Sequence, residues 1–471
     1  IYIKGALMIY ESKDQLKSKC SPVIQLDGGD VRILDEEKLK SELIDDLIYT
    51  AVFSPDKATA DAACWLIRRS AAALGIISSS IQSLYEAMGR GEVKGFTVPA
   101  INLRAMTYYS AQAVFRAAIK GQVGPVLFEI ARSEIDYTLQ RPQEYTCAVM
   151  AAAIKTGYSG PIFLQGDHFQ VNAKKFAADP VKETQAVKNL IWEAIEAGFY
   201  NIDIDTSTLV DLSQTTIQEQ QKTNFTLAAE LTTMIRDLEP EGISISVGGE
   251  IGEVGGKNST VEELQAFMDG YLESLRKDNE SSRPISKISV QTGTAHGGVP
   301  LADGSIAEVK IDFDVLEKLS EVARKQYGLA GAVQHGASTL PDEAFDKFPA
   351  VGTAEIHLAT GFQNIVYDSP DFPKELKDRI YGYLKTELKE EWKEKDTEEQ
   401  FIYKTRKKGC GPFKPEMWNL PAPIIQKLGE QLEKQLSFLF DKLKVNSTYE
   451  LMKQYIQPVD VNLEMPAALK G

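Results

Sequence analysis

The chain has 471 residues, 43% of them apolar, enough for a sizeable core in one large domain or two. Its 52 basic and 67 acidic residues leave a net charge of −15, which argues against nucleic acid or an anionic membrane surface as partner. Cys20, Cys64, Cys147 and Cys410 are scattered without short pairing intervals, which excludes a disulfide framework or a cysteine-rich zinc module.

No apolar run reaches the roughly 18 residues of a membrane span, and Ile1–Leu7 is too short for a signal peptide. A cytoplasmic protein with Met8 as its start is the expectation. Residues 1–90 open on a charged stretch and continue into an alanine- and serine-rich helical segment, Ala60–Met88, which predicts a mostly helical N-terminal extension. Eight short β-rich runs follow, at Phe96–Ile101, Val126–Ile130, Pro161–Leu164, Asn201–Asp205, Ile243–Val247, Lys287–Gln291, Gly331–Gln334 and Glu355–Leu358. Helical spacing fills much of the sequence between them, at Ala105–Lys120, Val181–Ala197, Gln218–Leu238, Val261–Arg276 and Asp314–Gln326. In Val261–Arg276, for example, Val261, Leu264, Phe267, Met268, Tyr271 and Leu275 share one face.

This alternation predicts parallel strands with crossover helices. An open doubly wound sheet would carry a glycine-rich turn after its first strand, where this chain has Asn102-Leu103-Arg104. The expected fold is therefore an α/β (β/α)8 TIM barrel over residues 91–370, with a charged helical C-terminal extension over 371–471. Lys374–Lys395 and Pro423–Leu443 are the clearest helices of that extension.

The chain has four histidines, and His168, His296, His335 and His357 all fall at or just after a predicted strand end. In a barrel those ends converge on one rim. Neutral imidazoles from three strand ends suit a catalytic zinc that keeps an open position, although other first-row metals accept similar ligands. Asp167, Asp205, Glu250 and Glu253 fall on the same rim, as ligands, partners of ligands or acid–base groups. Glycine-rich turns also follow the strands, and with Ser338 and Thr360 their amides suit a phosphate or carboxylate.

Several motifs in this order resemble the class II, zinc-dependent fructose- and tagatose-bisphosphate aldolases. They are Phe96-Thr97-Val98-Pro99-Ala100-Ile101-Asn102, Gly166-Asp167-His168, Ile204-Asp205-Thr206-Ser207 and Glu250-Ile251-Gly252-Glu253-Val254-Gly255-Gly256. Gly293-Thr294-Ala295-His296-Gly297, Gln334-His335-Gly336-Ala337-Ser338 and His357-Leu358-Ala359-Thr360 complete the series. The resemblance implies one zinc per chain on His168, His296 and His335, with Glu250 as fourth or alternative ligand and Asp167 as the acid–base. It implies Asn102, Asp205, Ser207, Gly297, Gly336, Ser338, His357 and Thr360 around the substrate. It further implies reversible aldol cleavage of a ketose or ketose (bis)phosphate through a metal-stabilised enediolate, in a homo-oligomer.

The chain also departs from that pattern. Lys257 and Asn258 stand where the family has an acidic pair on a loop, and Gly297-Gly298-Val299-Pro300 lacks the family's lysine. His357 replaces an asparagine, and Ala131 a serine. Arg132, Lys257 and Lys310 are candidates for a new anion contact. Two other readings follow: a zinc-dependent epimerase or isomerase of a sugar or sugar acid, and a non-catalytic sugar-binding relative.

Overall fold

The computed structural model describes residues 7–252, 257–277, 279–293, 301 and 311–470. Strands β4 (Val98–Asn102), β5 (Leu127–Ala131), β6 (Gly160–Gln170), β7 (Asn201–Asp205), β8 (Ser246–Glu250), β9 (Lys287–Val290), β10 (Ala332–Gln334) and β11 (Glu355–Leu358) run parallel in sequence order. Pairing of β11 with β4 closes the ring, so the fold is an eight-stranded parallel barrel.

Alternation along the strands divides the side chains. Phe128 of β5 turns outward and packs on Phe115 of the helix Thr107–Gly121, with ring centroids 4.9 Å apart. Its neighbour Glu129 turns into the barrel, as do Gln165, Asp203, Lys287 and Glu355, which meet one another there. The barrel is thus greasy outside, under its helices, and charged within.

In the N-terminal extension the helix Lys13–Cys20 is followed by a hairpin, β1 (Ile24–Asp27) with β2 (Asp30–Ile33), that helical spacing did not anticipate. The expected helix Ala60–Met88 is in fact two, Lys57–Ala73 and Gln82–Gly89. Gly75, at φ 75°, turns the chain, and β3 (Ile76–Ser78) then pairs with the start of β6. The second of these helices delivers Tyr85 to the barrel, where its hydroxyl donates to Glu355.

In the C-terminal extension, the helix expected over Lys374–Lys395 ends at Glu387, and Trp392 folds back to stack on Phe401 at an interplanar angle of 7°. Helix Ala422–Lys442 packs along Thr107–Gly121, with an Arg116–Glu433 ion pair at 2.7 Å. Arg69, 5% exposed, grips Asp30 and Asp460 at 2.8 Å each and so ties the two extensions together. Among the described residues, no helix is long and apolar enough to cross a membrane.

Candidate metal and substrate site

The strand ends at the C-terminal rim open into a cavity of about 400 Å3. Asn102, Asp167, His168, His335, Gly336, Ser338, His357 and Thr360 all line it. His296 and Gly297 lie outside the described residues, as do Glu253 and Lys310.

Consecutive side chains of a regular strand point to opposite faces, so Asp167 and His168 could not both face the cavity from a flat β6. The β6–β7 register slips between Gly166 and Phe169, and His168 adopts φ 39°. This bulge, at a backbone angle unfavourable for a side-chain-bearing residue, turns both groups into the site. Gly166 makes it possible, because a Cβ there would run into the ring of Phe169.

Three residues stand behind His168. Its Nδ1 lies 3.0 Å from Asp205 Oδ2 and 3.2 Å from Glu250 Oε2. Ser207 does not line the cavity; its hydroxyl and amide donate to Asp205 Oδ1 at 2.7 and 3.1 Å. Burial works against charge on all these groups. Even so, Asp167 and Glu250 push His168 well above an ordinary histidine, while its hydrogen bond holds Asp205 below an ordinary aspartate. Glu250 is pushed up to about 7, by burial and then by the charge of Asp205.

The imidazoles of His168 and His335 lie 4.2 Å apart, centroid to centroid. Asp167, His168 and His335 offer ligand atoms that all lie within 4.8 Å of one another. One carboxylate and two imidazoles at this spacing, with room beside them, fit a divalent metal. Glu250 belongs to an adjoining trio with His168 and Asp205.

His357 is the surprise of the site. It is buried one step deeper, with Nδ1 2.8 Å from Glu129 and 3.3 Å from Asp167, and Nε2 2.6 Å from Glu355. Glu355 in turn binds Lys287, whose ammonium also reaches Asp203 at 3.0 Å and Gln165 at 2.8 Å. Sequence reasoning missed this network. Its only signal was charged residues inside otherwise apolar strands, Glu129, Asp203, Lys287 and Glu355.

A second missed group walls the other part of the cavity. Glu134 accepts from Arg104 at 2.7 Å, from Asn102 Nδ2 and from the Ala131 amide. Asn102 keeps its Oδ1 without a hydrogen-bond partner among the described residues. Arg132 also lines the cavity, but its guanidinium is held by Glu183 and the Gln170 carbonyl, each at 2.6 Å.

Comparison with known proteins gives this geometry its context. A class II fructose-bisphosphate aldolase profile matches residues 82–407. Among solved structures, the chain is similar to a Sinorhizobium meliloti 1021 protein described as a "probable tagatose 6 phosphate kinase". Identity is 17% and the TM-score 0.52, over 79% of this chain and 96% of that one. It is also similar to the fructose-bisphosphate aldolase of Campylobacter jejuni, at 17% identity and TM-score 0.47 over 79% and 96%. The YdjI aldolase of Escherichia coli K12 follows at 15% and 0.40, over 74% and 99%. A search of curated protein sequences gave no match. With the family profile spanning more than half of its length, the chain belongs to the class II fructose-bisphosphate aldolase family.

Proposed function

We propose that the protein is a zinc-dependent aldolase that reversibly cleaves a ketose or ketose phosphate. The observation that carries this reading is the convergence of Asp167, His168 and His335 ligand atoms within 4.8 Å on the wall of a 400 Å3 cavity. In this reading His168 and His335, with His296, hold one zinc per chain, and Glu250 is the alternative ligand. Zinc, when bound, supplies a Lewis acid for the ketose carbonyl.

The chain's own groups do the rest. Asp205 and Glu250, 3.0 and 3.2 Å from Nδ1 of His168, fix the orientation of that ring. Asp167 takes the proton from the hydroxyl beside the bond that breaks, and returns it in the condensation direction. Asn102, fixed through its amide nitrogen by Glu134, offers its free Oδ1 to a substrate hydroxyl. Gly336, Ser338, His357 and Thr360 shape the remaining wall, and Asp205 and Ser207 support it from behind. Both nitrogens of His357 are engaged inside the barrel, which disfavours an epimerase that would use it as a second free base. Residues 91–370 are the catalytic barrel in this reading, braced by 1–90 and 371–471.

The test is elemental analysis together with a mass-resolved screen of ketoses and ketose phosphates. Expected are about one zinc per chain, loss of that zinc in His335→Ala, and two fragments from one substrate whose formation stops in Asp167→Asn. A protein that takes up no divalent metal, or a sole product of unchanged mass, refutes the reading.

A further inference from the structure

Asp167 stands in the gap of the β6–β7 register, where that ladder does not fix the direction of its side chain. A buried carboxylate is also costly unless a cation pairs with it, and Asp167 is 5% exposed. His357, reaching across from β11, answers both needs.

Alternate residues of a strand share a face, so Glu355 and His357 enter the barrel together. Glu355 Oε1 lies 2.6 Å from Nε2 of the ring. At the other end of the ring, Nδ1 lies 2.8 Å from Glu129 Oε2 and 3.3 Å from Asp167 Oδ1. The nearer nitrogen of His168 is 3.9 Å from the same Asp167 oxygen. With a carboxylate at each of its nitrogens, the His357 ring donates from both and carries a positive charge.

The ring is clamped as well as charged. Glu355 is held by Lys287 and by the Tyr85 hydroxyl, and Gln165 Nε2 spans Glu129 at 3.2 Å and Glu355 at 2.9 Å. The His335 ring covers one side, its centroid 4.0 Å away. A continuous line of contacts thus runs from Tyr85 through Glu355 and His357 to Asp167. An asparagine in place of His357 has its donors on one nitrogen and no charge, so it cannot span Glu355 and the Glu129–Asp167 pair.

We propose that His357 is a positioning residue for Asp167: clamped between Glu355 and Glu129, it holds that carboxylate where it meets the substrate hydroxyl. The proposal rests on the reading of Asp167 as the acid–base of a ketose aldolase. It gives the buried charges of the barrel a part in turnover, through the aim of one carboxylate.

The test joins kinetics to a direct view of the carboxylate. A misplacement of about 1 Å near the reacting atoms costs about 100-fold in rate. His357→Asn, assayed per zinc-loaded protein on the ketose that the wild type cleaves, should therefore lose about 100-fold in kcat and change KM by less than about threefold. Glu129→Gln keeps the ring but weakens its clamp on the cavity side, and should lose about tenfold. Arg69→Met is the stability control, because Arg69 pairs with Asp30 and Asp460 and does not line the cavity; its kcat should stay within about twofold of the wild type. Crystals of metal-free wild type and His357→Asn, or Glu129→Gln if the first variant does not fold, should show the Asp167 carboxylate displaced by about 1 Å in the variant. An unchanged kcat in His357→Asn, a loss expressed in KM, an equal loss in Arg69→Met, or a carboxylate that keeps its place would each overturn the proposal. A wild type that cleaves no ketose refutes the aldolase reading, whereas the two metal-free crystals decide the positioning role without turnover.

Discussion

Replacing Lys287 by methionine keeps the stem and removes the charge from the middle of the barrel. The ammonium, 1% exposed, neutralises Asp203 and Glu355 and bonds Gln165. Removing one partner of a buried ion pair costs about 3–5 kcal/mol, because the other charge stays behind unpaired. Glu355 keeps the Tyr85 hydroxyl, His357 and the Gln165 amide, so the loss belongs at the lower end, about 3 kcal/mol. At about 2.1 cal/mol/K of unfolding entropy per residue over 471 residues, this is a fall of about 3 °C in Tm. Differential scanning calorimetry of the wild type, Lys287→Met, Asp203→Asn and the double variant measures it. Because Asp203 and Lys287 touch, the double variant should recover about 1–2 kcal/mol relative to the sum of the single losses. A Lys287→Met protein as stable as the wild type, or strict additivity in the cycle, would refute the view that this lysine neutralises the barrel interior.

Two further outcomes follow from the same contacts. Burial favours protonation of Glu355, yet Lys287 and His357 hold it at about 2, below its unfolded value of about 4.3. Its stabilising contribution is therefore fully present above about pH 5 and lost as pH falls toward 2. Urea unfolding of metal-stripped protein should accordingly show the deficit of Glu355→Gln shrinking on acidification through that window, and a deficit independent of pH would contradict the assignment. Gly166→Ala should cost about 1–3 kcal/mol and depress ketose cleavage, because the new methyl displaces Phe169 and with it the bulge that aims Asp167 and His168. Wild-type melting and turnover in that variant would remove the bulge from the argument.

Strand periodicity located all eight barrel strands, because a parallel strand under helices must be a short apolar run whatever its partners. Its errors came where partners decide. Helical spacing runs through Ala60–Met88, but β3 forms there because β6 offers an edge at Gly160–Ile162. The fifth barrel strand sits at Ser246–Glu250, beyond the expected Ile243–Val247. The Ser246 amide bonds the Tyr200 carbonyl, and Ile243 is held in a turn on Pro240.

The site divides in the same way. Histidines at strand ends were legible because a barrel brings all those ends to one rim, and residue type with strand position sufficed to nominate Asp167, His168 and His335. That His168 faces the cavity beside Asp167 depends on a slipped register and φ 39°, which no residue type announces. His357 looked like another rim residue, but its ring is drawn down to Glu129 and Glu355 by a charge cluster assembled from strands far apart in sequence. Lys407 was one of many lysines in a charged tail, and only the packing of that tail puts it on the wall of the same cavity as Arg104. Local sequence determines which segments become strands and which groups stand at their ends. Long-range packing decides which charges meet, because burial makes an unpaired charge costly and the carboxylates that neutralise Lys287 stand on other strands.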